Sequence, residues 1–509
     1  VTELCGIAGI FGNGKIEKKE ITRMISKLRH RGPDEREVLW VPPIGWVGHT
    51  RLSIIDLKSG KQPISNEDGK ITIVFNGEIY NFKKLRKELK LLHNFKTNSD
   101  TEVILHLYED YGEECLKMLD GMFAIIMVGQ KDFILARDPL GIKPLYYGKK
   151  EKKVYVTSEI KAFPHPMDEI KSLKPGHYLI GGETKLFEDI LASSKQIYDL
   201  NEEQIKSDLI FILENAVSKR LVADVPIGVF LSGGFDSSLV ASIMKKKVKY
   251  LHSFTAGMRD APDLKMASEI ANFLKTKHHQ LIFNKMEMMK VLPDVIYHLE
   301  SFDAPIIRSA IPMYFISKVA SEYVKVAMSG EGADELFAGY SYLKKFKGHR
   351  LRSELNKIIR SLEKTNLQRG DRVAMAFGLE VRVPFLDKKL VKYTLRIPPT
   401  LLESGAKRQE KHLLRETFKN YLPASVFKRP KMKFSIGAGS SNQLFEESNK
   451  RITDKEFESN KKLSDGSLLR SKEEYYYYKV FKDIFGDTIP LDLIGRTVDK
   501  NAGTEKENV

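Results

Sequence analysis

Two short loops carry most of the polar chemistry in the second half of this chain. The first, Leu231-Ser232-Gly233-Gly234-Phe235-Asp236-Ser237-Ser238, sets two glycines, three hydroxyls and one carboxylate in a row. Glycine lets an anion reach the backbone, serine hydroxyls donate to its oxygens, and a helix starting there adds free N–H groups, so the segment can cradle phosphate. Asp236 can hold a magnesium ion beside those phosphates. No Gly-Lys-Ser/Thr ending follows, which excludes a P-loop of the ordinary kind. The second loop, Ser329-Gly330-Glu331-Gly332-Ala333-Asp334-Glu335, again combines hydroxyl, glycine and carboxylate. Taken singly, either stretch reads equally well as a solvated turn. The elements around them decide.

Short apolar runs at 227–231 and 324–328 predict strands that deliver the chain into the two loops. Further strands are predicted at 250–255 and 279–283, with helices from Ser238, at 262–274 and before the first loop, where Ile205, Leu209, Ile212, Leu213, Ala216 and Val217 recur at helical spacing. Strands alternating with helices argue for a parallel sheet, whose ligands bind at the carboxyl ends of the strands. Both loops fall there. The segment from 372 to 485 reads as largely helical. The first ~190 residues differ: runs at 5–11, 46–55, 71–75, 122–128, 133–136 and 154–157 predict strands, Gly129-Gln130-Lys131-Asp132 a hairpin turn, and 16–29 and 101–119 helices. The chain therefore divides into an α+β domain over 5–195, an α/β domain over 200–490 and a polar tail over 491–509.

The 509 residues carry a net charge of +16 and only two cysteines, Cys5 and Cys115. A disulfide framework is excluded, and a reducing cytoplasm fits. The lysines are dispersed among acids and accompany no RNA-binding motif, which argues against a nucleic-acid partner. No apolar run is long enough for a membrane helix, and the first residues lack the pattern of a secretory signal.

The first loop resembles the pyrophosphate loop of ATP pyrophosphatases, which cleave ATP between the α and β phosphates. The second loop, then Gly378-Leu379-Glu380-Val381-Arg382-Val383-Pro384-Phe385-Leu386-Asp387, then Leu422-Pro423-Ala424-Ser425-Val426 with Arg429, Lys431 and Phe434, follow in the order found in glutamine-dependent asparagine synthetases. Glu300-Ser301-Phe302-Asp303 and Ile307-Arg308-Ser309 favour that family over its β-lactam-forming relatives. The resemblance implies that Leu231, Ala256, Ser329 and Gly330 line the ATP site, that Ser232, Gly233, Gly234, Asp236, Ser237 and Lys431 hold pyrophosphate, and that Glu331 is the acid/base residue for β-aspartyl-AMP formation and ammonia attack. Phe235 stands where leucine is commoner in the family, and Ile436 where an acidic residue can occur.

Cys5-Gly6-Ile7-Ala8-Gly9 would on its own be a core strand. It is followed by Arg29-His30-Arg31-Gly32-Pro33-Asp34, Arg51-Leu52-Ser53-Ile54, Asn76-Gly77-Glu78-Ile79-Tyr80-Asn81, Ser99-Asp100-Thr101-Glu102 and the stretch from Ala136 to Leu145. This set is similar to the N-terminal-nucleophile glutaminases of class II amidotransferases, an αββα sandwich. The resemblance implies Cys5 as nucleophile, Asn76 and Gly77 as oxyanion hole, and Arg51, Leu52, Ser53, Ile54, Ile55, Glu78 and Asp100 around the glutamine. His30 is equally well a structural histidine, and Cys115 packs in a helix. The mechanism requires a free α-amino group on Cys5, so the active protein is expected to begin there, without residues 1–4, either by removal of a short propeptide or because translation starts at Leu4.

Together the two halves imply conversion of aspartate, glutamine and ATP, with Mg2+, to asparagine, glutamate, AMP and pyrophosphate in a homodimer, with an internal ammonia path. The rival readings are an amidotransferase acting on another carboxylate and a non-catalytic binding protein that keeps the fold.

Overall fold

The computed structural model describes residues 3–12, 15–405 and 409–497. The chain forms two compact units, one built from the chain up to Ala192 with Lys219–Pro226, the other from Ser193–Ser218 and the chain from Ile227 onward.

The first unit runs β1 (Glu3–Gly12), α1 (Lys18–Lys27), β2 (Glu35–Val41), β3 (Gly45–Ser53), β4 (Ile64–Ser65), β5 (Thr72–Ile79), α2 (Phe82–Leu89), α3 (Asp100–Tyr111) and α4 (Cys115–Met118). It continues through β6 (Gly121–Val128), β7 (Phe133–Arg137), β8 (Tyr146–Lys150), β9 (Lys153–Thr157), β10 (Glu169–Ser172), β11 (His177–Ile180) and β12 (Glu183–Leu186). Strand alternation explains the layering. Cys5, Ile7 and Phe11 of β1 share one apolar core with Val74 of β5 and Ala124 and Ile126 of β6. Ile73 and Phe75 point the other way, into a second core with Phe82 and Leu85 of α2 and Val103 and Leu107 of α3. Helix α1 buries Ile21, Met24 and Ile25, and it packs on β1 and β3. The twelve strands are hydrogen-bonded into one sheet along the path β10-β8-β9-β1-β5-β6-β7-β11-β12, with β3 joined to β1, β2 to β3 and β4 to β5. The predicted hairpin turn closes with the Gly129 N–H donating to Asp132 O at 2.9 Å, between β6 and β7.

The second unit opens on α5 (Glu202–Lys219), then β13 (Ile227–Phe230), α6 (Phe235–Lys247), β14 (His252–Met258), α7 (Pro262–Leu274), β15 (Lys277–Phe283), α8 (Lys285–Leu299), α9 (Ala304–Ser321) and β16 (Val326–Met328). After α10 (Ala333–Leu336), α11 (Gly348–Ser361) and α12 (Asn366–Met375) comes β17 (Glu380–Arg382). The sheet order is β15-β14-β13-β16-β17, and every pair is parallel. The segment after residue 372 is largely helical, as expected, and the one strand among its described residues is β17. Its three residues are two ionisable groups around Val381, a pattern with no apolar run, and the Glu380 and Arg382 side chains are buried as an ion pair.

The described part of the stretch expected to be a polar tail, residues 491–497, is packed against the rest of the second unit. Leu493 and Ile494 are buried, and the Thr497 N–H donates to Asp303 Oδ2 at 2.9 Å. Residues 498–509 lie outside the described residues, as do residues 1–2 of the N-terminal segment expected to be absent from the active protein. No helix among the described residues is long and apolar enough to cross a membrane.

Candidate functional sites

In the second unit, β13 and β16 are neighbours in one parallel sheet, so the loops that follow them emerge side by side. Glycine makes that approach possible. A Cβ on Gly330 would lie 2.8 Å from Ser237 N and 2.9 Å from Asp236, too close for any side chain. Gly233 has φ of +68°, and a Cβ there would meet Met266 at 2.5 Å. Ser232 Oγ and Ser237 Oγ lie 3.1 Å apart, and Ser237 Oγ donates to Gly234 O at 3.2 Å, which shapes the cradle at the start of α6.

A cleft opens over these loops, lined by Leu231, Ser232, Asp236, Ser329, Glu331 and Lys431 among others. Gly234, Ser237 and Gly330 line it as well. Ala256 is buried one position beyond Thr255, whose side of β14 lines the cleft. Lys411 Nζ donates to Asp236 Oδ2 at 2.6 Å and to Asp334 Oδ1 at 2.7 Å. Lys431 pairs with Asp334 and lies 4.0 Å from Asp236. Burial opposes ionisation of Asp334, but the two ammonium groups outweigh it and hold its carboxyl well below the usual range. Burial likewise opposes the charge on Lys431, and Asp334 and Asp236 more than restore it. Two carboxylates thus converge on one cationic position beside serine hydroxyls, a donor set that suits a hard divalent cation.

Glu331 is held from two sides. Its N–H donates to Ser329 Oγ at 3.3 Å, and its carboxylate pairs with Arg369 of α12. Glu335 behaves differently. Burial, with Asp334 and Glu331 adding like charge, pushes it up to about 7, and it accepts from Tyr340 at 2.5 Å and Asn366 at 2.9 Å. Arg429 donates to Ser232 O at 3.0 Å and pairs with Asp263, so it braces the first loop. Sequence reasoning missed Lys411 and Arg369 because neither lies in a recognisable motif; they meet their carboxylates from 175 and 38 residues away.

In the first unit, register does the positioning. Cys5 stands opposite Arg51 in the β1–β3 ladder, and Arg51 opposite Glu35 in β3–β2, so the three residues share one row. Arg51 donates to Glu35 Oε2 at 3.0 Å and to Asp56 O at 3.2 Å. Ser53 N–H donates to Asp34 Oδ2 at 2.8 Å, while Leu52, Ile54 and Ile55 are buried. The Cys5 N–H donates to Asn76 Oδ1 at 3.1 Å. The other end of that amide, Asn76 Nδ2, is buried and meets no hydrogen-bond partner among the described residues. A donor left unpaired in a protein interior is costly, and such a group beside a thiol is suited to an anionic oxygen. Gly77 packs so tightly against β6 that a Cβ would fall 2.1 Å from Met122 O. Asp100 and Glu78 are fully buried, and Asp100 Oδ2 accepts from the Ile79 N–H at 2.8 Å.

His30 sits in a buried ion-pair network. Its Nε2 lies 2.9 Å from Glu159, which also pairs with Arg31 at 2.7 Å and Lys161 at 2.5 Å. Burial opposes ionisation of Glu159, but the surrounding positive groups hold its carboxyl well below the usual range. Arg31 Nε then donates to Cys5 O at 3.2 Å and ties the Cys5 backbone to this network. The stretch from Ala136 to Leu145 is a latch rather than a ligand site: Asp138 accepts from the N–H groups of Leu140, Ile142 and Lys143, and Arg137 donates to Lys143 O at 2.7 Å. Cys115 is buried in a core, and that burial pushes its thiol up to about 12.

Comparison with known proteins agrees with this division. Residues 4–185 match the glutamine amidotransferase domain family, and residues 211–360 and 345–490 match the asparagine synthase family. A probable glutamine-hydrolysing asparagine synthetase of Dictyostelium discoideum is 38% identical over 538 residues, covering 97% of this chain and 96% of that protein. Asparagine synthetase B of Escherichia coli, also glutamine-hydrolysing, is 38% identical over 508 residues, covering 95% and 91%. Glutamine-hydrolysing asparagine synthetase 1 of Arabidopsis thaliana is 37% identical over 516 residues, covering 95% and 87%.

Proposed function

The chain belongs to the glutamine-hydrolysing asparagine synthetases, and on that footing we propose a reaction in two parts, each assigned to one unit. In the first unit, of N-terminal-nucleophile type, the Cys5 thiol attacks the side-chain amide of glutamine. Asn76 Nδ2 and the Gly77 N–H hold the oxygen that becomes negative, Arg51 pairs with the α-carboxylate, and Asp100 and Glu78 with the α-ammonium. Ammonia leaves, and water releases glutamate from the thioester.

In the second unit, an oxygen of the aspartate β-carboxylate attacks the α-phosphorus of ATP and pyrophosphate departs. Ammonia then attacks the acyl carbon of the β-aspartyl-AMP, AMP leaves with the bonding pair, and Glu331 takes the proton that nitrogen must lose. Leu231, Ala256, Ser329 and Gly330 surround the nucleotide. Ser232, Gly233, Gly234, Ser237 and Lys431 receive the pyrophosphate, and Lys411 is added to that set. Asp236, with Asp334, would hold Mg2+, which when bound neutralises phosphate charge. A cytoplasmic homodimer is the corresponding cellular form.

The observation that carries this reading is the convergence of Asp236, Asp334, Lys411 and Lys431 over the serine-glycine loop, with Glu331 on the rim of the same cleft. The test is an end-product assay. Asparagine, AMP and pyrophosphate are expected in equal amounts from aspartate and ATP with either glutamine or ammonia. AMP release only with a different carboxylate would reject aspartate as the acceptor.

Two further results are expected. Asn76→Ala should lower kcat for glutamine hydrolysis by about 10²–10³-fold, the usual cost of one oxyanion donor, with little change in KM. Unchanged kcat would remove Asn76 from the hole. Arg369→Gln leaves Glu331 in place but frees its carboxylate, so synthesis from either nitrogen source should slow by up to about 10²-fold, as misplacement of a catalytic group does. The effect should appear in kcat rather than in KM for ATP; a pure KM effect would make Arg369 a substrate-binding group instead.

A further inference from the structure

Two histidines and two glutamates of the first unit meet at a point that neither reaction uses. Glu67 sits in the turn between β4 and β5, His93 follows α2, and His106 and Glu109 stand three residues apart on one face of α3. One atom from each, an imidazole nitrogen or a carboxylate oxygen, lies within 4.8 Å of every other. Four of the spacings are 3.6 Å (His93 Nδ1 to Glu67), 3.7 Å (His93 Nδ1 to Glu109), 3.6 Å (His106 Nδ1 to Glu67) and 2.7 Å (His106 Nδ1 to Glu109). Bonds of about 2.0–2.1 Å to a tetrahedral ion put ligand atoms about 3.3 Å apart. The observed spacings bracket that value.

One outer contact is that of a metal ligand. Each histidine turns Nδ1 inward; His93 Nε2 meets Asp110 at 3.0 Å, whereas His106 Nε2 is buried 3.8 Å from Glu102, too far for a hydrogen bond. A carboxylate on one nitrogen fixes the proton there and leaves the other lone pair for a metal. Each glutamate also has one oxygen already taken. Asn66 Nδ2 donates to Glu109 Oε1 at 2.6 Å, and Asn94 N–H donates to Glu67 Oε1 at 2.9 Å. The second oxygen of Glu109 faces both histidines, and that of Glu67 faces His106, while His93 lies against the Glu67 oxygen that Asn94 also meets. The rings stack at 4.4 Å with 26° between planes, so a shared ion requires a modest turn of one ring about χ2.

We propose that Glu67, His93, His106 and Glu109 bind one divalent transition-metal ion of the zinc class, which clamps the β4–β5 turn and the loop after α2 onto α3. Imidazole ligands select that class over magnesium or calcium, which take oxygen. With all four protein ligands bound the site is closed, and its role is structural. The competing arrangement is a metal-free network in which protons on the two imidazoles balance the carboxylates.

Full-length Cys5→Ala protein, stripped with a chelator, is titrated with Co2+ and then Zn2+ in the absence of nucleotide; the Cys5→Ala background removes the one N-terminal thiol that could compete. One Co2+ per chain is expected, with the visible absorption of a four-coordinate nitrogen–oxygen site, displaced by Zn2+, and with a higher melting temperature for the loaded protein. Adding Asp110→Asn keeps all four ligands and should weaken binding by about 10-fold or more, the usual cost of losing an outer partner. Adding His93→Ala should abolish the spectrum. Absence of Co2+ uptake by the stripped protein, or equal uptake after His93→Ala, overturns the proposal. A melting temperature that falls with His93→Ala yet never responds to Zn2+ also overturns it, in favour of the proton network.

Discussion

Glu331→Ala is expected to lower asparagine formation by about 10²–10⁴-fold with either glutamine or ammonia, the range that a positioned general base contributes. Glutamine hydrolysis should persist, because Cys5 and Asn76 belong to the other unit. The argument rests on how firmly the carboxylate is presented. It stands in the loop directly after β16, its backbone tied to Ser329 Oγ and its side chain to Arg369. Alanine removes the proton acceptor and strands a buried guanidinium, so stability falls too. Glu331→Gln separates the two effects: it preserves the shape and loses the base, and should be nearly as inactive while melting close to the parent. Glu335 is no substitute. Burial, with charge from Asp334 and Glu331, pushes it up to about 7, and Tyr340 and Asn366 occupy one of its oxygens. Asparagine made at the parent rate by both variants would refute the role of Glu331.

The loops of both sites were legible because their chemistry is local. Ser232 to Ser237 and Ser329 to Glu335 announce themselves by glycine, hydroxyl and carboxylate within a few residues, at the ends of apolar strands. What completes them is non-local. Lys411 has no motif around it, and its meaning appears only when α/β topology brings it to Asp236 and Asp334. Arg369 is one of two arginines on α12, both buried, and only its pairing with Glu331 marks it. Fold reading failed where patterns were short or disguised. Helix α2 carries Phe82, Leu85 and Leu89 at helical spacing, but lysines between them mask the stripe. Strand β17 hides because its outer residues are a buried ion pair, which hydropathy reads as surface. Strands β10 to β12 are each four residues long and half-exposed, too short for alternation to show. His93 and His106 stand thirteen positions apart, outside any metal-ligand spacing, and nothing in the sequence joins them to Glu67.

Cys5→Ala is expected to abolish glutamine-dependent synthesis and leave the ammonia-dependent rate within about twofold, since only one of the two chemistries needs a thiol. The same residue carries a second expectation, about the peptide bond before it. An unassisted thiol near pKa ~8.5 is only a few per cent ionised at about pH 7, whereas a free α-amino group titrating near ~7.7–8.0 can take its proton. With Leu4 attached, the Cys5 nitrogen is an amide that donates to Asn76 Oδ1 and cannot act as a base. The preceding residues also run along the backbone proposed for the glutamine site. Glu3 pairs with Gly77 across β1 and β5, along the backbone assigned to the oxyanion hole, and Leu4 pairs with Leu52. Release at the Leu4–Cys5 bond therefore does two things at once: it creates the base and uncovers the edge of β5 at Gly77. Intact-mass measurement on protein from its native host is expected to give a chain beginning at Cys5, and a form engineered to retain residues 1–4 should make asparagine from ammonia but not from glutamine. Glutamine-dependent synthesis by a chain whose mass includes Leu4 would show that the thiol is activated by some other group, and Arg31 and Arg51, the cations set against Cys5, would be the first to replace.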